Sequence, residues 1–220
     1  EAKKILFRMV AGVRGRRKFN GEDEMKLMFI DVRKAHLNAV CEEEEWVELP
    51  EEFWRYGRYA RLRRWLYGMR KAASEWEEEY TGKLESIGFA RGRAAPTVFF
   101  GKALGVRIVV HGDDFTMSGT RKGLETVKGY MQKWYDIKDR GTMGSDDQDI
   151  KEIVILGRIL RWTQDGLEYE ADPRHRKELM RRMELDEDSN AVVTAAAKHA
   201  TELEDDGIEL EGADRNKNPG

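Results

Sequence analysis

Apolar positions along the chain recur at two spacings. Residues 25–32, MKLMFIDV, form a nearly unbroken apolar run of strand length that carries Asp31 near its end. Residues 97–100 and 106–110 are β-branched and apolar, with Gly101 and Gly105 between them. His111-Gly112-Asp113-Asp114 and then FTMSG follow, which predicts strand, tight turn, strand. Trp76, Tyr80, Leu84 and Ile87 share one helical face, and Gly88 is placed to end that helix. Leu124, Val127, Met131 and Trp134 predict a second amphipathic helix. Residues 153–162 and 167–171 flank a Gln164-Asp165-Gly166 turn and predict another hairpin. Asp172-Pro173 then supplies an N-cap and a first-turn proline for a helix to about Met183.

The resulting order is β, α, β, β, α, β, without an internal repeat. It predicts an α+β fold: a ferredoxin-like split βαβ antiparallel sheet with helices packed on one face. Nucleotidyl polymerases are among the proteins that use such a sheet, as their palm, but the architecture alone does not name a function.

Composition narrows the classes. The chain has 220 residues, 40% hydrophobic and 37% charged, enough to bury a core while staying polar. It has no apolar stretch of the roughly 18–20 residues that a membrane helix needs. EAKKILFRMV at the N-terminus lacks a signal-peptide apolar region. The single cysteine, Cys41, excludes an internal disulfide and a multi-cysteine zinc site. The formal charge of −3 is unevenly spread, because residues 184–220 hold 11 acidic and 3 basic side chains and no aromatic ring. That stretch is expected to be a solvated or disordered tail, which leaves residues 1–183 mildly basic.

Within the basic part, residues 54–71 read WRYGRYARLRRWLYGMRK. Arg55, Arg58, Arg61, Arg63, Arg64, Arg70 and Lys71 interleave there with Trp54, Tyr56, Tyr59, Trp65 and Tyr67, without an acid. Cations neutralise phosphates while aromatic faces stack on unpaired bases, so this mixture suits single-stranded or junction nucleic acid. The competing reading is a surface element whose arginines are solvated and whose aromatics are core.

Asp31 ends one predicted strand, and Asp113-Asp114 sit in a predicted hairpin turn. In a split βαβ sheet those elements can lie side by side and gather three carboxylates. Such a cluster repels itself unless cations join it, and Mg²⁺ favours oxygen ligands. Two such ions could activate a 3′-hydroxyl and stabilise a pyrophosphate leaving group. A hairpin turn also favours Asp and Gly for its own geometry, so the pair by itself leaves both readings open.

The surrounding residues carry a resemblance. Asp31-Val-Arg-Lys-Ala-His-Leu-Asn-Ala39 is similar to the D-V-x-x-A-F-L-N-G motif of copia-type retrotransposon reverse transcriptases. Residues 43–53 resemble that family's E-E-x-x-Y-M-x-x-P-x-G-F, and residues 66–76 its L-Y-G-L-K-Q-A-x-x-x-W. Ile87-Gly88-Phe89 resembles L-G-F, and Pro96-Thr97-Val98-Phe99 resembles D-P-S-L-F. His111-Gly112-Asp113-Asp114 stands where the family has Y-V-D-D. Ile137-Lys138-Asp139-Arg140-Gly141 resembles M-K-D-L-G, and Ile155-Leu156-Gly157-Arg158-Ile159 resembles F-L-G-I-E-I. These matches run in the family's order over roughly residues 27–183.

The resemblance implies an RNA-directed DNA polymerase palm that works with two Mg²⁺ ions, with Mn²⁺ as a possible substitute. It implies Asp31, Asp113 and Asp114 as catalytic metal ligands, with the Val32 carbonyl as a further ligand. His36 would lie under the incoming sugar, where the family has an aromatic residue. Gly68 and Lys71 would lie near the nucleotide, Lys71 where the family has glutamine. Arg55, Arg58, Arg61, Arg63, Arg64 and Arg70 would follow the nucleic acid. The partners implied are an RNA/DNA primer–template and deoxynucleotides, in cytoplasmic particles or the nucleus, without secretion or a membrane. Residues 1–24 are expected to be a remnant of fingers or connector, 25–183 the palm with a basic fingers-like insertion at about 33–73, and 184–220 the acidic tail. The rest of the polyprotein (complete fingers, RNase H and integrase) is expected to be absent from this chain. The alternatives are a degenerate, catalytically inactive remnant that binds nucleic acid or a protein, and an unrelated ferredoxin-like domain.

Overall fold

The computed structural model describes residues 2–14, 24–170 and 173–185. It divides into two units, residues 1–173 and 174–220. In the first, helix α1 (Ala2–Arg14) precedes strand β1 (Lys26–Val32), a hairpin of β2 (Trp46–Glu48) and β3 (Tyr59–Arg61), and helix α2 (Ala72–Ser86). Strands β4 (Phe89–Arg91), β5 (Val98–Gly101), β6 (Val106–His111) and β7 (Asp114–Gly119) lead to helix α3 (Arg121–Trp134). Strands β8 (Ile137–Met143), β9 (Glu152–Ile155), β10 (Arg158–Trp162) and β11 (Leu167–Tyr169) follow, and then helix α4 (Pro173–Arg182). In the second unit α4 is solvent-facing, and Glu178 pairs with Arg181 and Arg182 one turn on. The proposed acidic tail falls almost wholly on residues 186–220, outside the described residues, as do residues 15–23 of the proposed N-terminal remnant.

A six-stranded antiparallel sheet in the order β4-β5-β6-β7-β1-β8 organises the first unit. Strand β1 is an interior strand, and every residue in it except Asp31 is buried, which explains its continuous apolar run. On one face Met28, Ile30 and Val32 pack with Trp76, Tyr80 and Leu84 of α2 and with Leu124, Val127 and Met131 of α3. The other face is covered too, which corrects the expectation of helices on one face only. There Leu27 and Phe29 meet Leu6, Phe7 and Val10 of α1 and Ile153, Ile155, Leu160 and Trp162 of the small sheet. Helix α1 is hidden in the sequence: its three core residues are few, they sit among Lys3, Lys4 and Arg8, and no cap signal marks its start.

Two further expectations are corrected. Residues 153–162 are not one strand, because Leu156 (φ 49°) and Gly157 (φ 73°) both turn left-handed and make a two-residue hairpin. These strands join β11 in a separate three-stranded sheet. The neighbour of β1 is instead β8, an edge strand whose sequence, IKDRGTM, has too little apolar alternation to announce itself.

Lys26, at the start of β1, is buried and bonds Asp149 at 2.6 Å and Asp146 at 3.1 Å. Arg121 at the start of α3 reaches the same two carboxylates. This network ties β1, α3 and the loop between β8 and β9 together.

Candidate active site and nucleic-acid surface

Asp31 and Asp114 are directly opposite in the β1–β7 register. The turn joining β6 to β7 places Gly112 (φ +64°) at its first position, where an L side chain would be strained. Asp113 follows, and its carbonyl accepts the Val32 amide at 2.9 Å. Behind the turn, the Trp76 indole donates to the Gly112 carbonyl at 2.9 Å. Trp76 is itself fixed by edge contacts with Tyr80, Phe115 and Tyr135. An aromatic cluster on α2 therefore holds the turn that carries Asp113.

Asp31 feels the other two aspartates. Burial, followed by the charges of Asp113 and Asp114, pushes the Asp31 carboxyl above its ordinary range. A raised folded-state value means that ionising Asp31 opposes folding at pH above that value, and that the penalty fades as pH falls below the unfolded value. In metal-free buffer, Asp31→Asn is thus expected to raise the melting temperature at pH 7 by roughly 1–3 °C. The gain should vanish near pH 3, which thermal unfolding across pH checks; a lower melting temperature at pH 7 would contradict it.

Cations of the chain stand at this cluster, and Lys138 lies opposite Asp31 in the β1–β8 register. Arg140 lies 3.3 Å from Asp114. The Lys3 ammonium from α1 lies 4.0 Å from the other oxygen of that carboxylate, and burial pushes it below the usual lysine range against the pull of Asp114. Oxygen-rich Asp31 and Asp113 suit a hard divalent cation in chemistry, and their mutual repulsion is what such an ion relieves. Among the described residues, no group of three His, Cys, Asp or Glu side chains is gathered closely enough to hold a metal by itself. Sequence patterns gave no hint of Lys3 or Arg140 at this place.

Beside the aspartates, a short 3-10 helix (Ala35–Asn38) follows β1. It brings His36 against Tyr67, with ring centroids 4.2 Å apart and planes 25° from parallel. Gly68 (φ +91°) follows Tyr67 in an exposed turn. Lys71 is exposed and bonds Glu43, which holds its ammonium above the ordinary range. Positions 36, 67 and 68, distant in sequence, thus sit together.

The β2–β3 hairpin carries the basic, aromatic stretch. Arg55, Arg58, Arg61, Arg63, Arg64 and Arg70 are all exposed. Tyr56, Tyr59, Tyr67 and Trp54 are exposed as well, together with Trp46 and Phe53. Trp65 alone among the five interleaved rings is core, packed with Ala39, Cys41 and Ala72. Arg55 lies over Tyr56 and Arg58 over Trp54, at 4.6 and 5.2 Å from the ring centres. Arg58 also pairs with Glu48 at 2.9 Å, and Arg61 and Arg64 donate to the Glu42 and Asn38 carbonyls. No helix among the described residues is long and apolar enough to cross a membrane.

The chain belongs to the reverse transcriptase (RNA-dependent DNA polymerase) family, whose model matches residues 10–146. The retrovirus-related Pol polyprotein from transposon TNT 1-94 of Nicotiana tabacum is 28% identical over 125 residues, covering 54% of this chain and 9% of that polyprotein. These matches place the chain among the copia-type retrotransposon reverse transcriptases. Among solved structures, apo telomerase from Candida tropicalis, truncated from the C-terminal domain, gives a TM-score of 0.42 at 8% identity. That match covers 77% of this chain and 40% of the telomerase chain.

Proposed function

We propose that residues 25–183 are the palm of an RNA-directed DNA polymerase, with nucleotidyl transfer centred on Asp31, Asp113 and Asp114. The observation that carries this reading is the register of Asp31 opposite Asp114, with Asp113 held in the intervening turn. The order β6-β7-β1-β8, with α2 and α3 on one face, supports the split βαβ arrangement of a palm. Asp31 and Asp113, with the Val32 carbonyl, would hold Mg²⁺, and Asp114 would complete the acidic cluster. Bound there, Mg²⁺ supplies Lewis-acid activation of a 3′-hydroxyl and charge stabilisation of pyrophosphate.

The chain's own residues do the remaining work. Trp76 and the Val32 amide fix the turn so that Asp113 faces the end of β1. His36, backed by Tyr67, presents a planar face for the incoming sugar, with Gly68 leaving room for backbone approach. The exposed arginines and rings of residues 46–70 take the primer–template, phosphates on guanidinium groups and unpaired bases on aromatic faces. A second reading, a binding remnant without catalysis, draws on the engagement of Asp114 by Arg140 and Lys3.

One experiment separates the readings. The full chain is given an RNA template with a DNA primer, and binding and extension are followed together in Mg²⁺. Extension that falls at least about 100-fold in Asp113→Ala, with binding retained, supports the polymerase. Equal signals from both proteins would sink it, and salt-dependent binding without extension in either protein selects the remnant. Neutralising Arg61, Arg63 and Arg64 together is expected to flatten the salt dependence of binding by up to about three phosphate contacts. An unchanged slope would move the binding surface elsewhere.

A further inference from the structure

Arg140 reaches the acidic cluster through a defect in the sheet. In the β1–β8 pairing, Phe29 faces Gly141 and Ile30 faces Asp139, so Arg140 is the extra residue of a β-bulge. Gly141 takes φ +110°, and its amide bonds the Asp139 carboxylate at 2.8 Å, which locks the bulge. A bulge re-aims the side chain it carries. Here that side chain crosses to β7, where one guanidinium nitrogen bonds Asp114 at 3.3 Å. The other donates to the Val154 carbonyl of β9 at 2.5 Å. The guanidinium is therefore fixed at both ends and not swinging in solvent. It also stands where the family motif quoted above has leucine.

We infer that Arg140 is a resident counter-cation of the acidic cluster, which holds Asp114 and weakens the binding of a divalent metal ion at Asp31 and Asp113. The inference rests on the proposed metal-ligand role of those two aspartates. A guanidinium stays charged at every working pH and spans two acceptors at once, so it cannot step aside by losing its proton. A divalent ion entering the cluster meets both its positive charge and one fewer available carboxylate. Lys3 adds a weaker contribution at the other oxygen of the same carboxylate, at 4.0 Å.

The test is Mn²⁺ binding to the full chain, followed by electron paramagnetic resonance of the free ion and by calorimetry. Arg140→Met keeps an unbranched apolar stem and removes the charge, and is expected to tighten Mn²⁺ binding about tenfold at low salt. Arg140→Lys keeps the charge and should stay within about threefold of the wild type. An Arg140→Met affinity within twofold of wild type overturns the inference, as does equal tightening in Met and Lys variants, which would assign the effect to the bulge. Failure of the Mn²⁺ reading itself is distinguishable: affinity would then be indifferent to Asp31→Asn and Asp113→Asn. Binding that appears only in Arg140→Met, and is abolished by adding Asp113→Asn, supports the inference most directly. Far-UV circular dichroism matching wild type shows that each variant has kept its fold, and if Arg140→Met fails this check, Arg140→Gln takes its place with the same expected tightening.

Discussion

Asp149→Ala is expected to lower the unfolding free energy by about 3 kcal/mol, toward the lower end for breaking a buried ion pair. Its side chain is 1% exposed and bonds Lys26 at 2.6 Å, and removing it leaves a buried ammonium short of its main partner at the root of β1. Asp146 at 3.1 Å and Glu24 at 3.5 Å remain to hold part of that charge, which keeps the loss from the upper end. The pH dependence has a definite sign. Burial raises the Asp149 carboxyl, but hydrogen bonds from Lys26 and Arg121 outweigh it and hold the group below its ordinary range. Its contribution is therefore present above the ordinary carboxylate value and is lost as pH falls through the lowered one. Lys26 is likewise held above the ordinary lysine range, burial being outweighed by Asp149 and Asp146, so its part survives until pH rises through that value. Urea unfolding across acid pH checks this: the gap between wild type and variant should be widest near pH 7 and shrink steadily as pH falls below the ordinary carboxylate value. Replacing Lys26 and Asp149 together by Met and Leu should recover most of the loss, because no unpaired charge is left behind.

Trp76→Ala should cost about 3–5 kcal/mol, the range for deleting a large buried aromatic. The indole is 2% exposed and touches Tyr80, Phe115 and Tyr135, so a cavity opens where α2 meets the sheet. Trp76→Phe separates packing from hydrogen bonding. It keeps a ring against the same neighbours but loses the donor to the Gly112 carbonyl and part of the indole's buried volume, at a cost of about 1–3 kcal/mol, less than the alanine change. Since that bond holds the turn bearing Asp113, primer extension by Trp76→Phe should fall by more than its small stability loss explains. Denaturant titration beside an extension assay measures both; unchanged extension in Trp76→Phe would show that the turn holds itself.

The motifs that revealed the family are local, and so were legible. Each depends on a few adjacent side chains whose chemistry is tied to spacing: an aspartate ending an apolar strand, a glycine at a turn, a tryptophan on a helical face. The apolar runs and helical faces also foretold β1, β5, β6, β7, α2 and α3, because burial imposes its period on the chain, while the Asp172-Pro173 start signal foretold α4. Strand β8 escaped because it lies at the sheet edge, where one side is open and no alternation is enforced. Helix α1 escaped because three buried side chains, Leu6, Phe7 and Val10, suffice to dock it.

What the sequence alone determined is thus the set of groups and their order: three aspartates, a basic and aromatic stretch, and the strands and helices between them. Which groups meet was decided by the tertiary structure. Only the antiparallel register puts Asp31 opposite Asp114, and only the bulge in β8 swings Arg140 across β1 to the same carboxylate. Lys3 arrives from α1, more than a hundred residues away along the chain. Charge interactions act through space, so the electrostatics of this site depend on register and packing, which local residue patterns do not encode.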